Sequence, residues 1–232
     1  MLWRAYSGVY DGLLAFWPYR HLLSLVQQHA DLAPGARLLD LGCGTGNFLV
    51  LATRSTDDLR VLGVDGSAGM LGRARAKLAA TPGTTLVLGD VVEHLRSCAD
   101  ASVDRVVSIN VLYALPDRPA FWREVLRVLA PGGRAVVTTS TTGGSGPMLR
   151  EHLAHEPWHR LLRPRLLAVA VIDALISVLG SNEVFAFPTE EVLSGVISDA
   201  GGTIEQRMRC YGGEEHGVNV LFVVTRRQAE IA

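Results

Sequence analysis

The residues with the clearest chemical potential are three glycines and an acid that follow one apolar run. The segment reads Leu38-Leu39-Asp40-Leu41-Gly42-Cys43-Gly44-Thr45-Gly46-Asn47. Glycine adopts positive φ readily and lets a ligand approach the backbone with no Cβ in the way. A helix that begins after this turn directs free N–H groups at the same place. The pattern therefore predicts a strand, a tight loop and a helix that together bind a nucleoside.

A second acid follows the next apolar run. Asp65 ends the segment Gly63-Val64-Asp65 and lies 19 residues after Gly46. An acid at about this offset hydrogen-bonds the ribose hydroxyls in nucleotide-binding βαβ units. A carboxylate suits this task because it can accept from two vicinal hydroxyls at once. Asp40, at the first strand end, suits a ligand that carries positive charge better than one that carries a pyrophosphate.

The elements that must position these acids alternate regularly along the chain. Strand-like runs are predicted at 37–41, 60–65, 85–89, 103–110 and 134–140, and helical patterns fall between them. Such alternation is typical of a parallel sheet with helices on both faces. Two further strand-like runs, 203–211 and 218–225, predict an antiparallel pair at the sheet edge. The expected fold class is α/β, a Rossmann-like seven-stranded mixed sheet whose last strand is antiparallel.

The glycine loop resembles the first motif of the class I S-adenosylmethionine-dependent methyltransferases, the D/E-x-G-x-G-x-G loop, and more closely their small-molecule, type 11-like branch. A nicotinamide or flavin site would show G-x-G-x-x-G instead. The third glycine comes one residue too early for that pattern, and Asn47 takes its place. The resemblance implies that Asp40, Gly42, Gly44 and Gly46 bind S-adenosyl-L-methionine.

Further segments resemble the same family in the same order. Gly63 to Leu71 is similar to the family's G-x-D-x-S-x-x-M-L pattern, which implies that Gly66 and Met70 flank adenine; ordinary helix packing is the alternative for Met70. Asp90 and Val91 resemble the family's contact to the adenine amino group and ring nitrogen, while helix capping is the alternative for Asp90. Asn110 belongs to the fourth motif, and residues 124–133 match E-x-x-R-V-L-x-P-G-G.

Residues 1–35 are predicted to form a helical lid. In many small-molecule members of the family, a segment similar to Tyr6-x-x-x-Tyr10-Asp11 lies over the cofactor, which makes Tyr10 a candidate cofactor contact. A packing helix with ordinary aromatic anchors is the alternative. The cofactor-binding core is assigned to 36–140 and 189–226, and a helical insertion or substrate cap to 141–188.

The insertion contains a helical pattern with His152, His155 and His159, followed by a nearly all-apolar stretch, 166–179. Such a helix must be covered by the core, a second subunit, a membrane surface or an apolar substrate. A metal site on the histidines is not expected, because one helical stripe brings at most two of them to one ion. The family's paired histidines are absent near Tyr113. Candidates for a general base are Tyr10, Tyr113, His152, His155 and Asp173.

Composition excludes several classes of function. The formal net charge of −1 gives no basic surface for nucleic acid. Three cysteines without C-x-x-C spacing predict neither disulfides nor a zinc site, and we expect a cytoplasmic protein. The apolar stretches are too short to predict a secretion signal or a membrane span.

These observations predict an S-adenosylmethionine-dependent methyltransferase. Its acceptor would be an O, N or C nucleophile of a mostly apolar small molecule, such as a quinone, a lipid-like compound or a secondary metabolite. A homodimer through 141–188 is a further expectation. Two alternatives remain open: a protein that binds the cofactor without transferring methyl, as a binding module or a catalyst of cyclisation or rearrangement, and an NAD-dependent oxidoreductase.

Overall fold

Helices and strands alternate along the chain in a computed structural model that describes residues 8, 10–142, 146–162, 164 and 187–227. The helices are α1 (Trp17–Ala30), α2 (Asn47–Ser55), α3 (Ala68–Leu78), α4 (Val91–Ser97), α5 (Arg118–Val128), α6 (Gly146–His155), α7 (Glu190–Asp199) and α8 (Gly213–His216). The strands are β1 (Arg37–Leu41), β2 (Arg60–Asp65), β3 (Thr84–Leu88), β4 (Val103–Ile109), β5 (Leu129–Ser140), β6 (Gly202–Cys210) and β7 (Asn219–Arg226). Short 3-10 helices cover Tyr10–Ala15, Leu112–Ala114 and Trp158–Leu162.

The strands form one seven-stranded sheet in the order β3-β2-β1-β4-β5-β7-β6. Neighbouring strands among β1 to β5 pair in parallel, whereas β7 is antiparallel to both β5 and β6. The predicted fold class is confirmed. The last strand, β7, lies inside the sheet between β5 and β6, so its residues are almost all buried. The edge strand β6 exposes charged side chains, which protect an unpaired strand edge.

Two hydrophobic layers cover the faces of the sheet. Leu38 packs in one layer and Leu39 in the other, since successive residues of a strand point to opposite faces. Helices α1, α2 and α3 contribute to the layer that contains Leu38, and α4, α5 and α7 to the layer that contains Leu39. Helices therefore cover both faces of the sheet, and the strand ends lie at its edges.

The N-terminal helical prediction is partly revised. Within the described residues, the 3-10 helix Tyr10–Ala15 is separated from α1 by Phe16, whose backbone is extended with φ −94° and ψ 121°. Pro18 lies in the first turn of α1, where its missing N–H leaves no hydrogen bond unmade. Because of this break, the 3-10 helix is not continuous with α1, and it lies over the carboxyl end of β1.

One predicted strand begins earlier in the structure, and several predicted residues lie outside the described ranges. The strand predicted at 134–140 begins earlier, at Leu129, because Leu129 already pairs with Val103 of β4. Tyr6, Asp173 and the apolar stretch 166–179 lie outside the described residues. Within the described ranges, no helix is both long and apolar enough to cross a bilayer.

Candidate functional site

Polar residues from four neighbouring strands gather at the carboxyl edge of the sheet. Asp40 lies near the end of β1 and Asp65 ends β2, while Asp90 and Asn110 follow β3 and β4. Carboxyl ends of parallel strands meet at one edge, and the point where strand order reverses, between β1 and β4, opens a crevice there. The structure thus brings together the acids and the amide that the sequence singled out.

The three loop glycines are required for three different reasons, although all have positive φ. A Cβ on Gly42 would lie 2.2 Å from Val111 Cγ2, so this glycine allows the loop to approach the turn after β4. A Cβ on Gly46 would lie 3.2 Å from both Ala74 Cβ and Leu78 Cδ1, so that glycine packs against α3. Gly44 differs, because a Cβ there would meet a single neighbour, the ring of Tyr10, at 3.8 Å. The loop therefore offers ligand space at Gly44.

The Asp65 carboxylate anchors the glycine loop to β2. Its Oδ2 accepts from the Gly44 N–H at 2.8 Å, and its Oδ1 accepts from the Ser67 N–H at 2.8 Å. Burial raises the pKa of Asp65, and the two backbone hydrogen bonds oppose that shift. Each carboxylate oxygen has a second lone pair, so the group can still accept from ligand hydroxyls.

Asp40 is buried, with 2% of its surface exposed. Burial, with a smaller contribution from the charge on Asp65, raises the pKa of Asp40 to about 8. A buried carboxyl group with such a pKa gains its charge readily when a cation is placed beside it. Asp40 is therefore a site where positive charge on a ligand would be favoured.

The ends of β2 and β3 leave room for a flat group. A Cβ on Gly66 would lie 3.8 Å from the Gly89 carbonyl oxygen, and a Cβ on Gly89 would meet nothing within 4 Å. Met70 is buried on α3, and its N–H donates to the Ser67 hydroxyl that caps the helix. These positions are compatible with the adenine contacts expected of Gly66 and Met70, which stay predictions.

Asp90 caps α4, as the alternative interpretation anticipated. Its Oδ1 accepts from the N–H groups of Val92 and Glu93 at 2.8 and 3.0 Å. Val91 is buried in the hydrophobic layer that contains Leu39. Both capping bonds end on one carboxylate oxygen, so capping and an adenine contact do not exclude each other, and the latter stays a prediction.

Asn110 is held in a left-handed conformation, with φ 58°, that is uncommon for a residue other than glycine. Its Oδ1 accepts from Asn219 Nδ2 at 2.6 Å and from Thr138 Oγ1 at 3.4 Å. Its Nδ2 donates to the Tyr211 hydroxyl at 3.3 Å. Tyr211 also has positive φ, at 61°. Two residues with positive φ are thus hydrogen-bonded to each other beside the end of β4.

Sequence reasoning missed several residues of this edge. Thr138 lies in β5, Tyr211 directly follows β6 and Asn219 begins β7, and the strand register brings them to Asn110. No local sequence pattern points to the contacts of Tyr211 and Asn219 with Asn110, because these residues lie 101 and 109 positions after it in the chain. Asp11, Thr45 and Lys77, which form a second polar cluster, were also not identified as site residues.

The candidates for a general base fall in different places. Tyr10 lies over Gly44, and Tyr113 is half-buried with its ring centre 5.8 Å from that of Phe187. His152 is buried and accepts from the Trp17 N–H at 3.1 Å, which caps α1 from another part of the chain. His155 stacks on Trp17 with 3.6 Å between ring centres. The two histidines thus dock α6 on α1.

No described group of three His, Cys, Asp or Glu side chains could hold a metal ion. A cavity of about 660 Å³ lies at the opposite end of the sheet, between the start of β6 and the end of β7. It includes none of the strand-end residues described above, so it is separate from this site.

The site chemistry fits an adenosyl sulfonium ligand. Gly44 leaves ligand space where a Cβ would project, Asp65 presents carboxylate lone pairs and Asp40 favours a nearby positive charge.

Comparison with known proteins gives the same result. Residues 39–137 match the model of a methyltransferase domain. An uncharacterized 37.1 kDa protein in transposon TN4556 of Streptomyces fradiae is 30% identical, covering 78% of this chain and 52% of that protein. A ubiquinone/menaquinone biosynthesis C-methyltransferase of Geobacter sulfurreducens is 29% identical, covering 72% of this chain and 64% of that enzyme. The chain thus spans about half to two thirds of the length of these relatives.

Solved structures share the fold. A Haloferax volcanii methyltransferase in complex with the Trm112 activator superposes with a TM-score of 0.69 at 19% identity, covering 97% of this chain and 98% of that one. The [4+2]-cyclase SpnF superposes with a TM-score of 0.67 at 16% identity, covering 91% of this chain and 82% of that one. Geranyl diphosphate C-methyltransferase of Streptomyces coelicolor superposes with a TM-score of 0.66 at 14% identity, covering 89% of this chain and 79% of that one.

Three features now agree: the seven-stranded sheet with its antiparallel last strand, the glycine loop beside two strand-end acids, and the methyltransferase domain match over 39–137. Residues 39–137 of this chain are a methyltransferase domain, and the sheet and glycine loop resemble those of the class I S-adenosylmethionine-dependent methyltransferases.

Proposed function

We propose that this protein transfers a methyl group from S-adenosylmethionine to an O, N or C nucleophile of a mostly apolar small molecule. The observation that carries the proposal is the bond from the Gly44 N–H to Asp65, which places an open glycine backbone beside a carboxylate at the sheet edge. The cofactor-binding residues are proposed to be Tyr10, Asp40, Gly42, Gly44, Gly46, Asp65, Gly66, Met70, Asp90, Val91 and Asn110.

Each strand end has a separate task in this proposal. Asp65 accepts from the ribose hydroxyls, while Gly66, Met70, Asp90 and Val91 surround adenine. Asp40, in its ionised form, balances positive charge on the methionine part. When bound, the cofactor supplies a methyl group on a cationic sulfur that is already a good leaving group. The chain must then align an acceptor at about 3–3.5 Å from the methyl carbon and exclude water.

Proton removal is needed only for an acceptor that is protonated at the working pH. Tyr211 is unsuited to that task, because burial raises its pKa well above the usual value for tyrosine and keeps the phenol neutral. Its hydroxyl instead accepts a hydrogen bond from Asn110 Nδ2 at 3.3 Å. Tyr10 and Tyr113 remain the base candidates nearest to the strand ends.

The apolar character of the acceptor is inferred from the segments that flank the site. Residues 10–30 bring Leu13, Phe16 and Tyr19 to the face above β1, and Tyr113 contacts Phe187 near the start of α7. We assign 1–35 as a lid, 36–140 with 189–226 as the cofactor-binding core and 141–188 as a substrate cap. A homodimer through that cap is part of the same proposal.

The experiment is incubation of the purified protein with S-adenosylmethionine and a panel of quinols, phenols, isoprenoids and small carboxylic acids. Mass analysis follows both S-adenosylhomocysteine release and the mass gain of one methyl group on the acceptor. The proposal predicts both with an apolar acceptor and neither with the Asp65→Ala variant. Release of S-adenosylhomocysteine only with polar acids would contradict the apolar substrate class.

A second candidate is a non-methylating reaction on the same fold, such as a cyclisation or rearrangement. It is favoured by the similarity to SpnF, which carries a [4+2]-cyclase activity on this fold. The nucleoside loops would look alike in both cases. Product formed from a polyene substrate without consumption of S-adenosylmethionine would support this candidate over methyl transfer.

A further inference from the structure

Lys77 connects three separate parts of the chain. Its Nζ donates to Asp11 Oδ1 at 2.6 Å, to Asn47 Oδ1 at 2.6 Å and to Thr45 Oγ1 at 3.1 Å. An ammonium group carries three hydrogens, so these acceptors use its full donor capacity. Asp11 belongs to the short helix before α1, Thr45 to the glycine loop and Asn47 to the first turn of α2.

The Thr45 hydroxyl completes the connection. Thr45 lies between Gly44 and Gly46 and is fully buried. Its hydroxyl donates to Asp11 Oδ1 at 2.6 Å and accepts from Lys77, which uses its one hydrogen and one of its lone pairs. Asp11 therefore receives two hydrogen bonds from the side of the glycine loop. This cluster of Asp11, Thr45 and Lys77 is called the latch below.

The latch adjoins an aromatic ring that also packs edge-on against Tyr19, with 6.2 Å between ring centres. Tyr10 directly precedes Asp11, and its Cε1 lies 3.8 Å from the place where a Cβ on Gly44 would project. The ring is therefore one wall of the space beside the loop backbone in which the ligand is proposed to bind. Fixing Asp11 against Thr45 therefore fixes the wall of that space.

The burial of the latch makes it stronger than an ordinary surface ion pair. The side chains of Lys77 and Asp11 are 27% and 28% exposed, and both contact a fully buried hydroxyl. Partial burial reduces screening by salt, and charge-assisted hydrogen bonds of this length are the stronger kind. An open surface pair would contribute little.

We propose that Lys77 and Asp11 are positioning residues for cofactor binding, which hold Tyr10 over Gly44 and close residues 10–15 on the bound nucleoside. The inference rests on the proposed use of S-adenosylmethionine. Lys77 acts through Asp11 and Thr45 rather than by touching the cofactor. The latch should therefore contribute most when the site is occupied.

The test uses S-adenosylhomocysteine as the probe with the full chain. Its affinity is measured by calorimetry and its dissociation rate by stopped-flow fluorescence for the wild type, Lys77→Met, Asp11→Asn and the double variant. Each single change should weaken binding roughly five- to thirtyfold, mainly through faster dissociation, as expected for a partly buried charged pair. The double variant should be no weaker than the worse single variant, because both remove one shared interaction.

Two matched variants separate positioning from general stability. Arg73→Met removes an exposed cation of the same helix and should leave affinity unchanged. Lys77→Arg should restore affinity to within about threefold, since it retains charge and donors. Hydrogen exchange at residues 10–15 should slow on binding in the wild type and not in Lys77→Met.

The outcomes distinguish this inference from the function it rests on. If the wild type binds the probe while Lys77→Met and the double variant match it in affinity and dissociation rate, the latch has no such role and the proposed function stands. Equal losses in Lys77→Met and Arg73→Met would also overturn the inference. If the wild type does not bind the probe, both the proposed cofactor and the latch are refuted.

Discussion

The carboxyl groups of Asp40 and Asp65 lie at the ends of neighbouring parallel strands, close enough for the charge of one to affect the other. Burial comes first and the charge on Asp65 second among the causes that raise the pKa of Asp40 to about 8. A cationic ligand would reverse this balance, because it favours the ionised form of Asp40. The pair therefore connects cofactor binding to proton release.

Proton release on binding is the first prediction. Near pH 7, S-adenosylmethionine should displace a proton from Asp40, and its affinity should rise with pH up to about 8. Calorimetry in two buffers of different ionisation enthalpy measures the number of protons released. Asp40→Asn should abolish the release; an unchanged proton count in that variant would show that another group is responsible.

The raised pKa of Asp40 also predicts how the stability of the ligand-free protein depends on pH. In the unfolded chain Asp40 ionises near its ordinary value of about 4, whereas in the folded ligand-free protein it ionises near 8. The contribution of Asp40 to the free energy of unfolding should therefore be fully present below about pH 4 and be lost as the pH rises through 8. Urea unfolding of the wild type and Asp40→Asn between pH 5 and 8 checks this, since the variant should lack this part of the decline.

A matched pair of glycine variants tests the separate reasons for the loop glycines. Gly44→Ala places a methyl group in the ligand space, at the cost of about 1–2 kcal/mol for a non-glycine residue in the left-handed region. Gly46→Ala has the same backbone cost and also crowds Ala74 and Leu78. We expect Gly44→Ala to lose more than tenfold in S-adenosylhomocysteine affinity and Gly46→Ala to lose more unfolding free energy. The opposite order would contradict the assignment of ligand space to Gly44.

Asp65→Asn tests the ribose contact at nearly constant side-chain volume. The amide has one acceptor oxygen, so it keeps at most one of the two backbone bonds to Gly44 and Ser67. The unfolding free energy should fall by about 1 kcal/mol, and cofactor affinity should fall roughly tenfold to a hundredfold with the lost charge-assisted bonds. Calorimetry and urea unfolding measure the two effects; a stability loss without an affinity loss would restrict Asp65 to loop anchoring.

His152 is expected to stabilise α1 rather than to act in catalysis. It accepts from the Trp17 N–H and stacks on Phe16 with 4.7 Å between ring centres. His152→Ala should lower the unfolding free energy by roughly 1–3 kcal/mol through loss of the cap and the ring contact. Thermal unfolding with the exposed His159→Ala variant as the control measures this. Equal effects of the two changes would refute the capping role.

Much of the site could be predicted because its residues follow strands directly. Asp40 and Asp65 are read from apolar runs that carry an acid at or near their end, and Asn110 from the resemblance of its strand to the family's fourth motif. Parallel strands deliver those ends to one edge of the sheet. The glycine loop is equally local, since it needs only the spacing of Gly42, Gly44 and Gly46. These features depend on neighbours in sequence, which a single sequence shows.

The residues that escaped prediction depend on long-range register. Asn219 reaches Asn110 because β7 inserts between β5 and β6, and Lys77 reaches Asp11 across 66 residues of chain. The left-handed backbone of Tyr211 has no sequence signal, since most residues at that φ are glycine or asparagine. The role of His152 is likewise decided by the docking of α6 on α1, to which no local pattern points.

The central claim is that the edge formed by the glycine loop and Asp65 binds an adenosyl sulfonium. Its most direct test is a calorimetric titration of the protein with S-adenosylmethionine, compared with the Asp65→Ala variant. We predict saturable binding of one equivalent to the wild type and no measurable binding to the variant. Absence of binding to the wild type, or equal binding to both proteins, would contradict the account.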